Sequence, residues 1–148
     1  MRCLIVEDDV TSRTLLQNFL ADYAICNIAV DGYEAVELVQ TALETEKPYD
    51  LICMDIMMPN MDGKDALKAI RQIEREYGVE EGKGAKVIMT TALNLPSEQA
   101  DAYEQGCAAF IVKPVRKKKF FEVLEETGFF SENLQSRSES AANTNESK

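Results

Sequence analysis

Leu51-Ile52-Cys53-Met54-Asp55-Ile56-Met57-Met58-Pro59, followed by Met61-Asp62-Gly63, decides how the rest of the chain is read. An apolar run leads straight into one aspartate, continues through three more apolar residues, and is closed by a proline and a glycine. That pattern predicts a fully buried strand with a single carboxylate at its C-terminal tip. An isolated buried charge is costly because it loses its hydration. It is tolerated at this position because the ligands of open α/β sheets bind in the crevice beyond the carboxyl ends of the strands. Asp55 is therefore the candidate reactive group. Standing alone, it would read as an Asp opening the turn before Pro59.

Working outward, Arg2 to Val6 predicts a short buried strand that ends in Glu7-Asp8-Asp9. Thr11 and Ser12 offer capping hydroxyls to a following helix, on which Leu15, Leu16, Phe19 and Leu20 recur at helical spacing. Ala24 to Val30 predicts a second strand, closed by the turn pair Asp31-Gly32. The next helix carries Ala35, Val36, Leu38, Val39 and Leu43 on its inner face and stops by Lys47-Pro48. Beyond the central stretch, Ala66, Leu67, Ile70 and Ile73 mark a third helix ending near Tyr77-Gly78. A polar connector, Glu80 to Gly84, leads to a strand from Ala85 to Thr90 or Thr91. Pro96-Ser97-Glu98 opens a fourth helix, with Gly106 as its C′ residue. Ala108 to Val112 is a fifth strand, and Lys117 to Glu126 a last helix bearing Phe120, Phe121, Val123 and Leu124.

Strands alternating with helices in this way predict an α/β fold: a parallel sheet with helices on both faces. Right-handed crossovers leave few topologies. The doubly wound, flavodoxin-like order 2-1-3-4-5 is adopted as the template, and it sets the ends of strands 1 and 3 side by side. One domain is expected over residues 1–130. The stretch 131–148 is rich in Ser, Asn, Glu and Lys, and it is expected to be a disordered tail.

Composition narrows the function classes. A net charge of −10, from 26 acidic and 16 basic residues, argues against nucleic acid as a direct partner. It suits a site that gathers cations. No apolar run reaches the length of a membrane span and no export signal opens the chain, so a cytoplasmic location is expected. Cys3, Cys26, Cys53 and Cys107 stand singly in apolar surroundings and are expected to be buried free thiols. With no histidine in the chain, a Ser-His or Cys-His catalytic pair is excluded and a zinc site disfavoured.

The predicted strand ends bring Glu7-Asp8-Asp9, Asp55, Thr90-Thr91 and Lys113 into one crevice. Carboxylates converging there repel unless a cation sits among them. Hard oxygen ligands of this kind suit Mg²⁺, which keeps several waters and binds one or two carboxylates beside phosphate oxygens. Lys113 adds a compact positive charge able to pair with Asp55 or a phosphoryl oxygen. Thr91 adds a hydroxyl able to donate to the same oxygen. Such a set fits phosphoryl transfer onto a carboxylate.

In these motifs the chain resembles the receiver domain of two-component response regulators, in its stand-alone, chemotaxis-regulator-like form. The matching stretches are Leu4-Ile5-Val6-Glu7-Asp8-Asp9, Met54 to Pro59 with Asp62-Gly63, Thr91-Ala92 and Lys113-Pro114, within about Arg2 to Gly128. The resemblance implies that Asp55 accepts a phosphoryl group from a sensor histidine kinase or a phosphotransfer protein. It implies that Glu7, Asp8, Asp55 and the backbone carbonyl of Met57 hold Mg²⁺, with Asp8 the more direct of the acidic pair. Thr91 matches the switch hydroxyl, Lys113 the phosphoryl contact, and Phe110 the switch aromatic, a position where many members carry Tyr. The output it implies is a protein target docking on the face of helix 4, strand 5 and helix 5. A signalling module, monomeric or weakly dimeric, is expected rather than an enzyme.

Two other readings are weighed. A haloacid-dehalogenase-type enzyme places a second acid two residues after its acceptor, where Met57 stands here. A flavodoxin-like binding module without phosphorylation would be favoured by loss of Asp8, Asp55 or Lys113, and all three are present. A flavin is disfavoured because no Ser/Thr/Gly-rich phosphate loop follows strand 1. Phe110 taken alone reads equally as a core aromatic, and Met54, Met57, Met58 and Met61 read as packing around the crevice. Arg116-Lys117-Lys118-Lys119, the one basic cluster, reads as a solvated helix end or as a contact for an acidic partner.

Overall fold

The computed structural model describes residues 1–129 of the chain, so the tail expected at 131–148 lies outside the described residues. In order, the elements are β1 (Arg2–Val6), α1 (Val10–Leu20), β2 (Ile25–Ala29), α2 (Gly32–Glu44), β3 (Leu51–Asp55), α3 (Gly63–Glu76), β4 (Lys86–Thr91), α4 (Pro96–Glu104), β5 (Ala109–Val112) and α5 (Lys117–Glu126). The five strands form one sheet in the order β2-β1-β3-β4-β5, and every neighbouring pair is parallel. The expected doubly wound topology is therefore the observed one. β1 and β3 lie side by side, in register from Cys3 opposite Leu51 to Val6 opposite Met54. That pairing puts Glu7, just past the end of β1, beside Asp55 at the tip of β3.

The strands alternate between two covered faces. Leu4, Val6, Ile52, Met54, Val87 and Met89 join Ala35, Val39 and Ala42 of α2 with Ala66, Leu67 and Ile70 of α3 in one core cluster. Cys3, Ile5, Leu51, Cys53 and Ile88 are the alternate residues, and all are fully buried on the other face. β3 is buried at all five positions, which is why its sequence shows an unbroken apolar run instead of alternation. The chain divides at Val115 into Met1–Val115, which contains the whole sheet, and a second unit beginning at Arg116 that carries α5. Within that unit Phe120 and Phe121 meet edge to face at 5.7 Å, while Arg116, Lys117, Lys118 and Lys119 are exposed.

Several local expectations are corrected. α1 begins at Val10, capped by the Asp9 carboxylate accepting from the Ser12 amide at 2.9 Å. Asp9 wins over Thr11 and Ser12 because a carboxylate at the N-cap meets the helix dipole with full charge. Leu15 faces solvent, leaving Leu16 and Leu20 as the buried residues of α1. Cys26 is half-buried because β2 is an edge strand, whereas Cys3, Cys53 and Cys107 are buried as expected. Met57 is 57% exposed on the wall of the crevice, whereas Met54 is fully buried and Met58 and Met61 pack on the core.

Glu74 is a finding that apolar periodicity gave no hint of. It is buried one position beyond the half-buried Ile73, and it accepts from Arg71 at 2.7 Å and from the Ala85 amide at 2.8 Å. Arg71 also donates to the Ala85 and Gly106 carbonyls at 2.9 and 2.8 Å. A buried carboxylate is stable when paired and hydrogen-bonded in this way. The network joins the C-terminal half of α3 to the start of β4 and the turn before β5, at the sheet end away from Asp55. Its pairing is complete, and it leaves the opposite end of the sheet free for chemistry.

Candidate functional site

Each side chain of the site is delivered by the end of a strand. Glu7 follows β1, its amide donating to the Ala29 carbonyl at 3.0 Å, and its carboxylate is 1% exposed. Asp8, the next residue, is exposed and makes no hydrogen bond or ion pair among the described residues. Asp55 ends β3 and is 5% exposed. One of its oxygens accepts from the Met57 amide at 3.2 Å, and the other from Lys113 Nζ at 3.2 Å. Lys113 follows β5, donates to Glu7 as well as Asp55, and so bridges the two buried carboxylates. The peptide bond joining it to Pro114 is cis.

Burial lifts the Glu7 carboxyl to about 7, with the neighbouring Asp55 adding to the rise and Lys113 opposing it. Burial pulls Lys113 downward, but its hydrogen bond to Glu7 and the charge of Asp55 outweigh that, and it titrates above its ordinary value. The Asp9 carboxyl is lowered by the Ser12 amide it caps.

Carboxylate oxygens of Glu7, Asp8 and Asp55 lie within 4.8 Å of one another. They offer the hard oxygen set that suits Mg²⁺, and the exposed Asp8 leaves room for the waters that ion retains. The group fits. Thr91 ends β4, is 2% exposed, and accepts from the Leu93 amide at 3.1 Å, which leaves its hydroxyl proton uncommitted. Together with Asp8, Ile56, Met57 and Leu93 it lines a cavity of about 510 Å³ beside Asp55. Thr90, opposite Asp55 in the β3–β4 register, is buried as a strand residue. Phe110 is half-buried against the core cluster, opposite Met89.

All seven expected site residues therefore fall toward the same end of the sheet, with Phe110 two positions before the end of β5 and one position inside the level of Asp55. The bond between Lys113 and Glu7 was not foreseen, because only the folded register shows that the lysine reaches past Asp55. Also unforeseen is Lys64, at the start of α3, which pairs with Glu98 at 2.9 Å across the same cavity and is raised by that hydrogen bond.

Fold and site together define a doubly wound α/β domain with an acidic, lysine-bridged crevice at the switch point between β1 and β3. The chain belongs to the response regulator receiver domain family, whose model matches residues 3–125. It is 34% identical to the chemotaxis protein CheY of Bacillus subtilis, over 85% of this chain and 96% of that protein. It is 33% identical to the sensor histidine kinase GacS of Pseudomonas protegens over 83% of this chain, but spans only 13% of the kinase. Among solved structures it resembles the CheX-CheY-BeF3-Mg²⁺ complex of Borrelia burgdorferi, with a TM-score of 0.72, 29% identity, and coverage of 85% of this chain and 87% of that one.

Proposed function

We propose that this receiver accepts a phosphoryl group on Asp55 from a phosphohistidine of a sensor histidine kinase or phosphotransfer protein, and that it signals by the change of shape that follows. The observation that carries the reading is the junction of Glu7, Asp8 and Asp55 within 4.8 Å, with Lys113 held on Asp55. In the transfer, an Asp55 oxygen forms a bond to phosphorus as the phosphorus–nitrogen bond of the donor breaks, and the imidazole leaves. Lys113 steadies the carboxylate and then the phosphoryl oxygens it lies against. Glu7, Asp8, Asp55 and the Met57 carbonyl would hold Mg²⁺, which supplies positive charge for the phosphoryl oxygens. Thr91 turns its free hydroxyl proton to a phosphoryl oxygen and draws the β4–α4 loop with it. Hydrolysis of the acyl phosphate restores the starting state. The product is a conformational state, so the protein acts as a signalling phosphoacceptor and not as an enzyme in its own pathway.

The signal is proposed to leave through the β4–α4 loop, α4 and β5, where Leu93 and Leu95 of the loop, Tyr103 of α4 and Val112 of β5 are exposed apolar side chains suited to a protein target. In the sequence-based expectation α5 shares this role. Phe110, on β5, is the proposed link, moving between the core and the surface as Thr91 shifts. The reading implies a cytoplasmic protein, monomeric or weakly dimeric, and the likeness to part of GacS supports a relay step as a second use of the same chemistry.

The test is incubation with acetyl phosphate and Mg²⁺ followed by intact mass, beside Asp55→Asn and a metal-free control. A phosphoryl increment that needs both Asp55 and Mg²⁺ is expected. The reading fails if no increment forms and a beryllofluoride–Mg²⁺ titration leaves the Asp55 and Thr91 resonances unmoved.

A further inference from the structure

We propose that Asp31 and Asn60 form a clamp that positions the β3–α3 loop, and with it the Met57 carbonyl, for the cation. Both are positioning residues, and the inference rests on the cation site proposed above. The loop, residues 56–62, is tied at its two ends. The Ile56 amide donates to the Thr90 carbonyl at 2.9 Å, and the Gly63 amide donates to the Ile56 carbonyl at 2.8 Å. Its apex is Pro59-Asn60, and there Asn60 adopts a φ of 69°, a left-handed conformation that few residues besides Gly and Asn take readily.

From that apex the Asn60 side-chain amide donates to Asp31 Oδ2 at 3.1 Å. Asp31 is not a free surface carboxylate. Its other oxygen accepts from the Glu34 amide at 2.9 Å, capping α2, so the group that holds Asn60 is itself fixed by a helix. A second contact comes from Gly32, the first residue of α2. A Cβ built there would lie 2.8 Å from both the Met61 side chain and the Met61 carbonyl. The loop backbone therefore rests directly on the start of α2, at a spot where only hydrogen fits. The pair Asp31-Gly32, which the sequence presents as a turn signal, is a ledge built for the loop that follows the phosphoacceptor.

The clamp matters because Mg²⁺ demands near-ideal octahedral geometry, and Met57 stands three residues before Asn60. A carbonyl ligand on an untethered loop must be ordered when the ion binds, which lowers affinity; a tethered one is ordered beforehand. The hydrogen bond is exposed, so its loss leaves global folding nearly intact and acts on the loop.

Two variants isolate it. Asn60→Gly keeps the left-handed backbone and deletes the donor, while Asp31→Ser keeps a helix cap but is too short to reach Asn60. Amide hydrogen exchange of metal-free protein and calorimetric Mg²⁺ titration are the readouts. Each variant is expected to exchange faster across 57–62 with β1 unchanged, and to bind Mg²⁺ about fivefold more weakly, the double variant being no worse than the weaker single. Unchanged exchange over 57–62 in Asn60→Gly overturns the clamp whatever the metal does. Equal Mg²⁺ affinity in wild type and both variants overturns its role toward the ligand. A wild type that binds no Mg²⁺ overturns both that role and the cation site beneath it, while the exchange result still judges the clamp itself.

Discussion

Lys113→Met removes a charge while keeping the stem, and its consequence can be worked from the site. In metal-free protein it leaves Glu7 and Asp55, 1% and 5% exposed, as adjacent carboxylates without the cation they share. Breaking one side of a buried ion pair costs about 3–5 kcal/mol. The lower end applies here, because Glu7 already titrates at about 7 and can take up a proton in place of the lysine. That substitution makes the loss pH-dependent. In the wild type the folded-state value for Glu7 lies above its ordinary 4.5, so the folded protein holds an extra proton and stability falls as pH rises from 4.5 toward 7. Without Lys113 the folded-state value moves higher still, and the fall continues above pH 7 at about 1.4 kcal/mol per pH unit. The variant is expected to lose about 3 kcal/mol at pH 8, roughly 10 °C in Tm for a domain of this size, and about 1 kcal/mol less at pH 6. Thermal unfolding followed by circular dichroism in EDTA at the two pH values measures this. Adding Mg²⁺ should raise the variant's Tm more than the wild type's, since the ion takes over the missing neutralisation. Equal stability at pH 8, or a deficit that does not change with pH, refutes the bridge between the two carboxylates.

Two further outcomes follow from the same geometry. Mg²⁺ binding to wild type must displace the Glu7 proton, so affinity should fall below pH 7 by close to tenfold per pH unit; calorimetry at pH 6, 7 and 8 checks it, and a flat profile would show that Glu7 takes no part. Gly63→Ala puts a Cβ 2.5 Å from the Asp55 carbonyl and 2.9 Å from the Ile56 Cα, neither of which can swing aside. It should cost about 1–3 kcal/mol in urea unfolding and weaken Mg²⁺ binding by displacing the strand tip, whereas a variant as stable as wild type would contradict the close approach of α3 to β3.

What the sequence made legible divides along a physical line. β3 could be read because both faces of the sheet are covered, which turns a strand into an unbroken apolar run, and because a charge at its end needs a reason. The order of strands 1 and 3 then placed Glu7, Asp8 and Asp55 together without any knowledge of side-chain geometry. The residues that escaped are those whose role depends on a partner distant in sequence. Glu74 breaks the apolar pattern of α3, and the cost of its burial is offset because Arg71 and the Ala85 amide meet it. Asp31 carries a cap that local sequence can suggest and a tether to Asn60 that it cannot, since the two lie 29 residues apart. Lys113 reaches Glu7 across 106 residues, with Asp55 between them in the sheet. Periodicity reports burial on one element at a time, so it finds the strand tips where Glu7, Asp8 and Asp55 gather. The contacts that tune them, the lysine bridge and the loop clamp, arise from the register between elements, and it is there that variants leaving every motif intact should still alter the cation site.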